Sequence, residues 1–191
     1  LAVPPSTMRD EGACELAARR RRGPTTLGCA AVVGGRVYAG SDGGWVYALD
    51  AASGCVHWSF QAKGGVRTAV SVGAIGKGRS AKQALYFGDI LANVYAVDAT
   101  TGELLWTHKA DNHAFARVTG APTLHEGRLY VPMSSLEEAA GGHPSYGCCT
   151  FRGSVTAFDS ATGKVIWKSY TIPVAPKPTR KTSAGTQLFG P

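Results

Sequence analysis

The apolar residues of this chain fall in short β-rich runs, separated by Gly, Asp, Asn and Ser. Such punctuation predicts short strands joined by tight turns. One run recurs as Arg36-Val37-Tyr38-Ala39-Gly40, Ala84-Leu85-Tyr86-Phe87-Gly88 and Arg128-Leu129-Tyr130-Val131. A second follows as Val46-Tyr47-Ala48-Leu49 and Val94-Tyr95-Ala96-Val97, each ending at an Asp. Thr68-Ala69-Val70-Ser71-Val72 and Gly120-Ala121-Pro122-Thr123-Leu124 supply a strand upstream. A last short strand carries a Trp, which makes four strands per unit.

The units align on one motif. Residues 48–58, 96–106 and 157–167 all read A-x-D-x-x-x-G-x-x-x-W. The Asp can bond turn amides two residues on, and the Gly supplies a left-handed position, as in a type I turn with a bulge. Asp-to-Asp spacings are 48 and 61 residues. Four-stranded units of roughly 40–50 residues are propeller blades. The expected fold is therefore an all-β propeller of four-stranded blades, in partial form. About three blades end near residues 62, 110 and 173, with the start of a fourth beyond. A closed ring takes about 4–8 blades. Residues 1–28 lack the pattern and are expected to stand apart from the propeller in 29–191.

The third unit is longer. Tyr38 to Asp50 and Tyr86 to Asp98 each span 12 residues, while Tyr130 to Asp159 spans 29. The 17 extra residues form a loop on a rigid scaffold, where function concentrates. The loop contains adjacent Cys148 and Cys149. A bridge between them would close a small, stiff ring, better suited as a platform for a flat ligand than as a staple. The same pair also reads as two reduced thiols, or as part of a metal pair. His143 in this loop reads as solvated.

Composition sharpens the picture only in places. Gly is 25 of 191 residues, about twice the usual share, which argues against a helical bundle. The net charge of +7 includes the run Arg19 to Arg22, which reads as a solvated segment. No basic face repeats, so no nucleic-acid partner is expected. No window of about 18 apolar residues exists, so no membrane span is expected in this chain. Five cysteines form no C-x-x-C pair, which removes zinc-ribbon, thioredoxin and c-type haem motifs.

The repeated motif resembles the tryptophan-docking motif of the quinoprotein propellers, in which each Trp packs between neighbouring blades. On that resemblance Trp58, Trp106 and Trp167 are architectural, and Trp45 falls outside the pattern. The resemblance extends over residues 30–191. Ser134-Ser135-Leu136-Glu137-Glu138 looks like the metal-binding Ser-Ser-Gly-Ala-Glu of the quinoprotein alcohol dehydrogenases. It implies Glu138 as a Ca²⁺ ligand, with Glu137 as the neighbouring alternative; a carboxylate is the hard oxygen donor Ca²⁺ prefers. Thr119-Gly120-Ala121-Pro122 resembles the strand whose Thr bonds the quinone, and Arg152-Gly153 resembles the Arg-Gly ahead of the third strand.

The family stacks pyrroloquinoline quinone (PQQ) on a disulfide between adjacent cysteines, which implies that Cys148 and Cys149 are bridged. In the methanol and ethanol enzymes that pair lies in an earlier blade than the Ser-Ser strand; here both share one loop. Arg117, and less directly Arg67, could pair with a quinone carboxylate. With Ser134 and Ser135 these complete the implied cofactor set of Cys148, Cys149, Thr119, Arg117, Ser134, Ser135 and Arg152. The family's catalytic Asp belongs to a later blade, and no residue here is assigned to it.

Within the family, residues 115–122, 134–138, 148–155 and 176–179 resemble the polyvinyl alcohol dehydrogenases. The resemblance implies oxidation of a polymeric or small secondary alcohol, with cytochrome c as electron acceptor. An adjacent disulfide implies a periplasmic or secreted location. The rival reading is a non-catalytic propeller scaffold like the outer-membrane assembly lipoproteins. These share the Trp motif but need neither the Cys pair nor the Ser-Ser loop. A second rival is the luminal or sensor propeller of a receptor kinase, of which no kinase or membrane segment is present.

Overall fold

The computed structural model describes residues 29–75 and 81–190. The segment 1–28 lies outside the described residues. Strands β1 (Ala31–Val33), β2 (Arg36–Gly40), β3 (Trp45–Asp50) and β4 (Val56–Gln61) form an antiparallel sheet in chain order. Strands β5 (Ser71–Ile75), β6 (Lys82–Gly88), β7 (Asn93–Asp98) and β8 (Leu104–Lys109) form a second. The third contains β10 (Thr123–His125), β11 (Arg128–Ser135), β12 (Ser154–Asp159) and β13 (Val165–Tyr170). Short β9 (Ala116–Arg117) pairs with the far end of β11. Helix α1 (Glu137–Gly141) follows β11, and β14 (Lys177–Lys181) pairs with β15 (Gln187–Gly190). This is the all-β, four-stranded blade architecture that the repeat predicts, present in part.

The motif works as its chemistry requires. Oδ1 of Asp50 accepts the amides of Ala52 (3.1 Å) and Ser53 (2.7 Å). Asp98 does the same with Thr100 and Thr101, and Asp159 with Ala161 and Thr162. Each strand pair slips register immediately before the Asp, between Ala48 and Leu49, Ala96 and Val97, and Ala157 and Phe158. Gly102 (φ +77°) and Gly163 (φ +70°) then take the left-handed position.

Those two glycines also dock the blades. A Cβ on Gly102 would lie 2.7 Å from the Trp58 ring of the preceding blade, and one on Gly163 would lie 2.6 Å from Trp106. Only Gly lets the indole lie so flat on the turn. Trp58 Nε1 donates to the Ala99 carbonyl (3.1 Å), and Trp106 Nε1 to that of Ser160 (2.9 Å). The phenols of Tyr38 and Tyr86 reach the same two carbonyls. Trp45 stands outside this scheme, stacked on Tyr47.

The core consists of the two spaces between the sheets. Leu85, Phe87, Tyr95 and Val97 face the first blade, while Ala84, Tyr86, Val94 and Ala96 face the third. The middle blade is thus buried on both faces. Its first strand begins at Ser71, and the third blade's at Thr123, each three residues later than the sequence predicts. Thr68 is instead a fully buried loop residue whose hydroxyl bonds both the amide and carbonyl of Gly88. A β-branched residue satisfied by a neighbouring strand end is indistinguishable by type from one within a strand.

Candidate functional site

Three of the expected polar residues meet at one place. β9 lies against β11 so that Arg117 stands opposite Ser134, and Ala116 opposite Ser135. The hydroxyls of Thr119 and Ser134 are 2.7 Å apart, and Ser134 Oγ also reaches the Arg117 carbonyl. The Arg117 guanidinium donates to the Ile90 carbonyl of the second blade (3.1 Å), while its Nε is buried without a partner. An arginine and two hydroxyls on adjacent backbone positions are donor types that suit an anionic, carboxylate-bearing ligand.

The cysteines form the second part. Cys148 and Cys149 are joined in a disulfide across a cis peptide. The loop is held on several sides. The end of α1 touches it, since a Cβ on Gly141 would lie 2.7 Å from Cys148 Sγ. From β15, the Phe189 amide donates to the Cys148 carbonyl (2.8 Å), and the hydroxyl of Thr186, just before that strand, donates to the Pro144 carbonyl.

The main anchor is Glu137, which is 2% exposed. Its Oε1 accepts the Thr150 amide (2.6 Å), the Thr150 hydroxyl (3.1 Å) and the Tyr146 phenol (3.0 Å). Its Oε2 accepts the Phe151 amide (2.6 Å). Burial pushes the carboxyl upward, but the Thr150 and Phe151 amides and the two hydroxyls outweigh it and hold it below the ordinary value. The Phe115 amide donates to Nδ1 of His113, which places the ring proton on Nε2. That Nε2 lies 3.0 Å from the Thr150 hydroxyl. The rings of His113, Phe115, Tyr146 and Phe151 pack around the anchor.

The remaining candidates go elsewhere. Glu138 is exposed, one residue away on the opposite side of a single helical turn. Ser135 Oγ accepts the Glu137 amide (3.3 Å) at the start of α1. Arg152 covers the Tyr170 ring at 3.6 Å and donates to the Pro173 carbonyl (2.9 Å), so it braces the loop exit. Arg67 is paired through two nitrogens with Asp42. His143 bonds Ser145 within the exposed turn.

The six described Asp residues are all engaged. Asp50, Asp98 and Asp159 hold turns, Asp42 pairs with Arg67, and Asp111 pairs with Lys168. Asp89 is buried under the Asn93 amide and the Tyr95 phenol. No group of three or more His, Cys, Asp and Glu side chains gathers around a metal position among the described residues. With Glu137 saturated and Glu138 alone at the surface, the residues described do not by themselves fit a Ca²⁺ centre. The guanidinium and hydroxyl donors of Arg117, Thr119 and Ser134 are of the chemical type that a polycarboxylate such as PQQ takes.

The family described as outer membrane protein assembly factor BamB, defined on the PQQ repeat, matches residues 13–188. The chain belongs to the PQQ-repeat family of quinoprotein propellers. Among its relatives, a polyvinylalcohol dehydrogenase of Sphingopyxis sp. (strain 113P3) is 43% identical over 164 residues, covering 86% of this chain and 25% of that protein. Quinohemoprotein alcohol dehydrogenase ADH-IIG of Pseudomonas putida is 32% identical, covering 76% of this chain and 20% of that protein. The solved structure of ADHIIG from Pseudomonas putida HK5 superposes with a TM-score of 0.61 at 26% identity, covering 81% of this chain and 22% of that one. The chain thus spans about a quarter of the length of the curated relatives it matches.

The sequence alone did not reveal His113, Tyr146 or Thr150 as a set. Their only signal is position: Tyr146 and Thr150 flank the cysteine pair. Nothing local marks Glu137 rather than Glu138 as the buried member, because one turn of helix decides it.

Proposed function

We propose that the protein containing this chain is a PQQ-dependent alcohol dehydrogenase. It acts on a secondary alcohol, polymeric as in polyvinyl alcohol, or small. The observation that carries the reading is the Cys148–Cys149 disulfide, anchored on the same inserted segment as the Ser134 end of β11. The 43% identity to a polyvinylalcohol dehydrogenase supports the substrate class. When bound, PQQ supplies a two-electron acceptor, so the alcohol loses two electrons and two protons and becomes a ketone.

This chain contributes binding and orientation. Arg117 offers the cation for a quinone carboxylate, Thr119 and Ser134 offer hydroxyl donors, and the disulfide offers a flat platform. No described residue is assigned the role of taking the alcohol proton. Electrons pass onward to a cytochrome c in this reading, and the disulfide favours the periplasm or the exterior.

The family's description as an outer-membrane assembly factor favours one alternative, a scaffold without catalysis. Dye-coupled oxidation of secondary alcohols by the full-length protein, with and without added PQQ, separates the two. Turnover that depends on PQQ is expected. A folded full-length protein with no PQQ-dependent turnover and no PQQ binding would mean the scaffold.

A further inference from the structure

We infer that Glu137 is a positioning residue, which fixes the disulfide platform at a set distance from the polar cluster of Arg117, Thr119 and Ser134. The inference rests on the cofactor reading above and differs from the metal role that the sequence resemblance implies for this stretch.

The argument starts from where the donors lie in the chain. Tyr146 is two residues before Cys148, and Thr150 and Phe151 directly follow Cys149. All four hydrogen bonds to Glu137 come from these three residues. One buried carboxylate therefore clamps the loop on both sides of the disulfide. Short amide bonds to an ionised acceptor are about twice as strong as neutral ones. Loops ordinarily tolerate displacement, so a platform on a loop needs such a clamp to keep its geometry.

The other end of the clamp is equally fixed. Ser134 is three residues before Glu137 and sits in the β9–β11 ladder opposite Arg117. The Leu136 amide donates to the Phe115 carbonyl (3.1 Å), and the Ser135 hydroxyl accepts the Glu137 amide. Strand end, helix start and carboxylate form one short rigid path from the hydroxyl pair to the cysteines. His113 backs the same path through the Thr150 hydroxyl. Displacing the platform by about 1 Å would misplace a stacked ring enough to cost roughly 100-fold in rate.

The test uses full-length protein and two readouts. The first is accessibility of the disulfide. Dithiothreitol gives up two electrons and two protons, the Cys148–Cys149 bond breaks to two thiols, and the reagent closes to its cyclic disulfide. Alkylation and peptide mapping of the thiols give the rate. Glu137→Gln replaces an acceptor oxygen by a donor facing an amide, so reduction is expected to accelerate by about tenfold or more. Thr150→Val is expected to accelerate it by roughly threefold, and Thr150→Ser to restore the wild-type rate. Glu103→Gln, an exposed turn residue, serves as the unchanged control.

The second readout is the PQQ dissociation constant by fluorescence titration, together with kcat at saturating PQQ. Both are expected to worsen in Glu137→Gln and Thr150→Val while circular dichroism stays unchanged, with Thr150→Ser again rescuing. Should Glu137→Gln fail to fold, the Thr150 pair and Tyr146→Phe carry the same test. Folded variants whose disulfide is reduced at the wild-type rate overturn the inference. So do variants with a loosened disulfide but unaltered PQQ affinity and kcat. Absence of PQQ binding in the wild type would instead overturn the cofactor reading, and the reduction arm would still decide whether Glu137 clamps the loop.

Discussion

Glu137 shows how one residue's surroundings override its type. Its carboxyl is held below the ordinary value although it is buried. A depressed folded value means that the unfolded chain binds the proton more readily. The stabilisation is therefore fully present above the ordinary Glu value of about 4.3 and is lost as pH falls through the lower folded value. Thermal unfolding of the full-length protein across about pH 3 to 7 should show the wild type losing its advantage over Glu137→Gln in the acid part of that range. A constant gap between the two would exclude a charged Glu137 as the anchor. The Ser-Ser-x-x-Glu resemblance singled out Glu138 for a metal role, with Glu137 as the alternative, whereas the fold buries Glu137 as the anchor of the cysteine loop. Which of the two is buried is not local information, because neighbours on a short helix differ only in the face they present, and that depends on where the Cys loop returns. Thr119 and Ser134 were named by resemblance and Arg117 by its place ahead of an inner strand; the β9–β11 pairing sets Arg117 opposite Ser134, and Thr119, two residues past β9, meets the Ser134 hydroxyl.

At the scale of elements, the A-x-D-x-x-x-G-x-x-x-W motif was readable because every fixed position has a separate physical task. Asp ends the strand by bonding turn amides, Gly turns left-handed, and Trp lies on the next blade's Gly. The first strands of the second and third blades were misplaced by three residues; in the second, Thr68 is β-branched yet buried with its hydroxyl on the Gly88 backbone rather than paired in a strand. Gly102 offers the sharpest test of the docking. Ala there must hold φ near +77° and place its Cβ 2.7 Å from the Trp58 ring. The backbone penalty is about 1–2 kcal/mol, and displacing the indole adds about 1–3 kcal/mol. Gly102→Ala is therefore expected to destabilise the full-length protein by about 2–5 kcal/mol in denaturant unfolding. The Trp58 fluorescence should shift toward that of a solvated indole. A loss below about 0.5 kcal/mol would show that the blades do not depend on this contact.

On the scale of the whole molecule, the third blade presents what the first two cover. Trp106 is 9% exposed beneath the next turn, whereas Trp167 is 40% exposed. Val165, which shares a face of β13 with Trp167, is exposed too, as are Ile172 and Val174 just beyond the strand. An apolar face of this kind is an association surface. The 191-residue chain expressed alone is therefore expected to self-associate, and Trp167→Lys is expected to reduce that association. Size-exclusion chromatography with light scattering at several concentrations measures both. The same preparation should show no alcohol oxidation when supplied with PQQ, because it spans about a quarter of the length of its dehydrogenase relatives. A monodisperse monomer at high concentration would show that the open face is compatible with solution on its own. PQQ-dependent turnover by that monomer would place the proton-accepting group within these 191 residues and overturn the division of labour argued here.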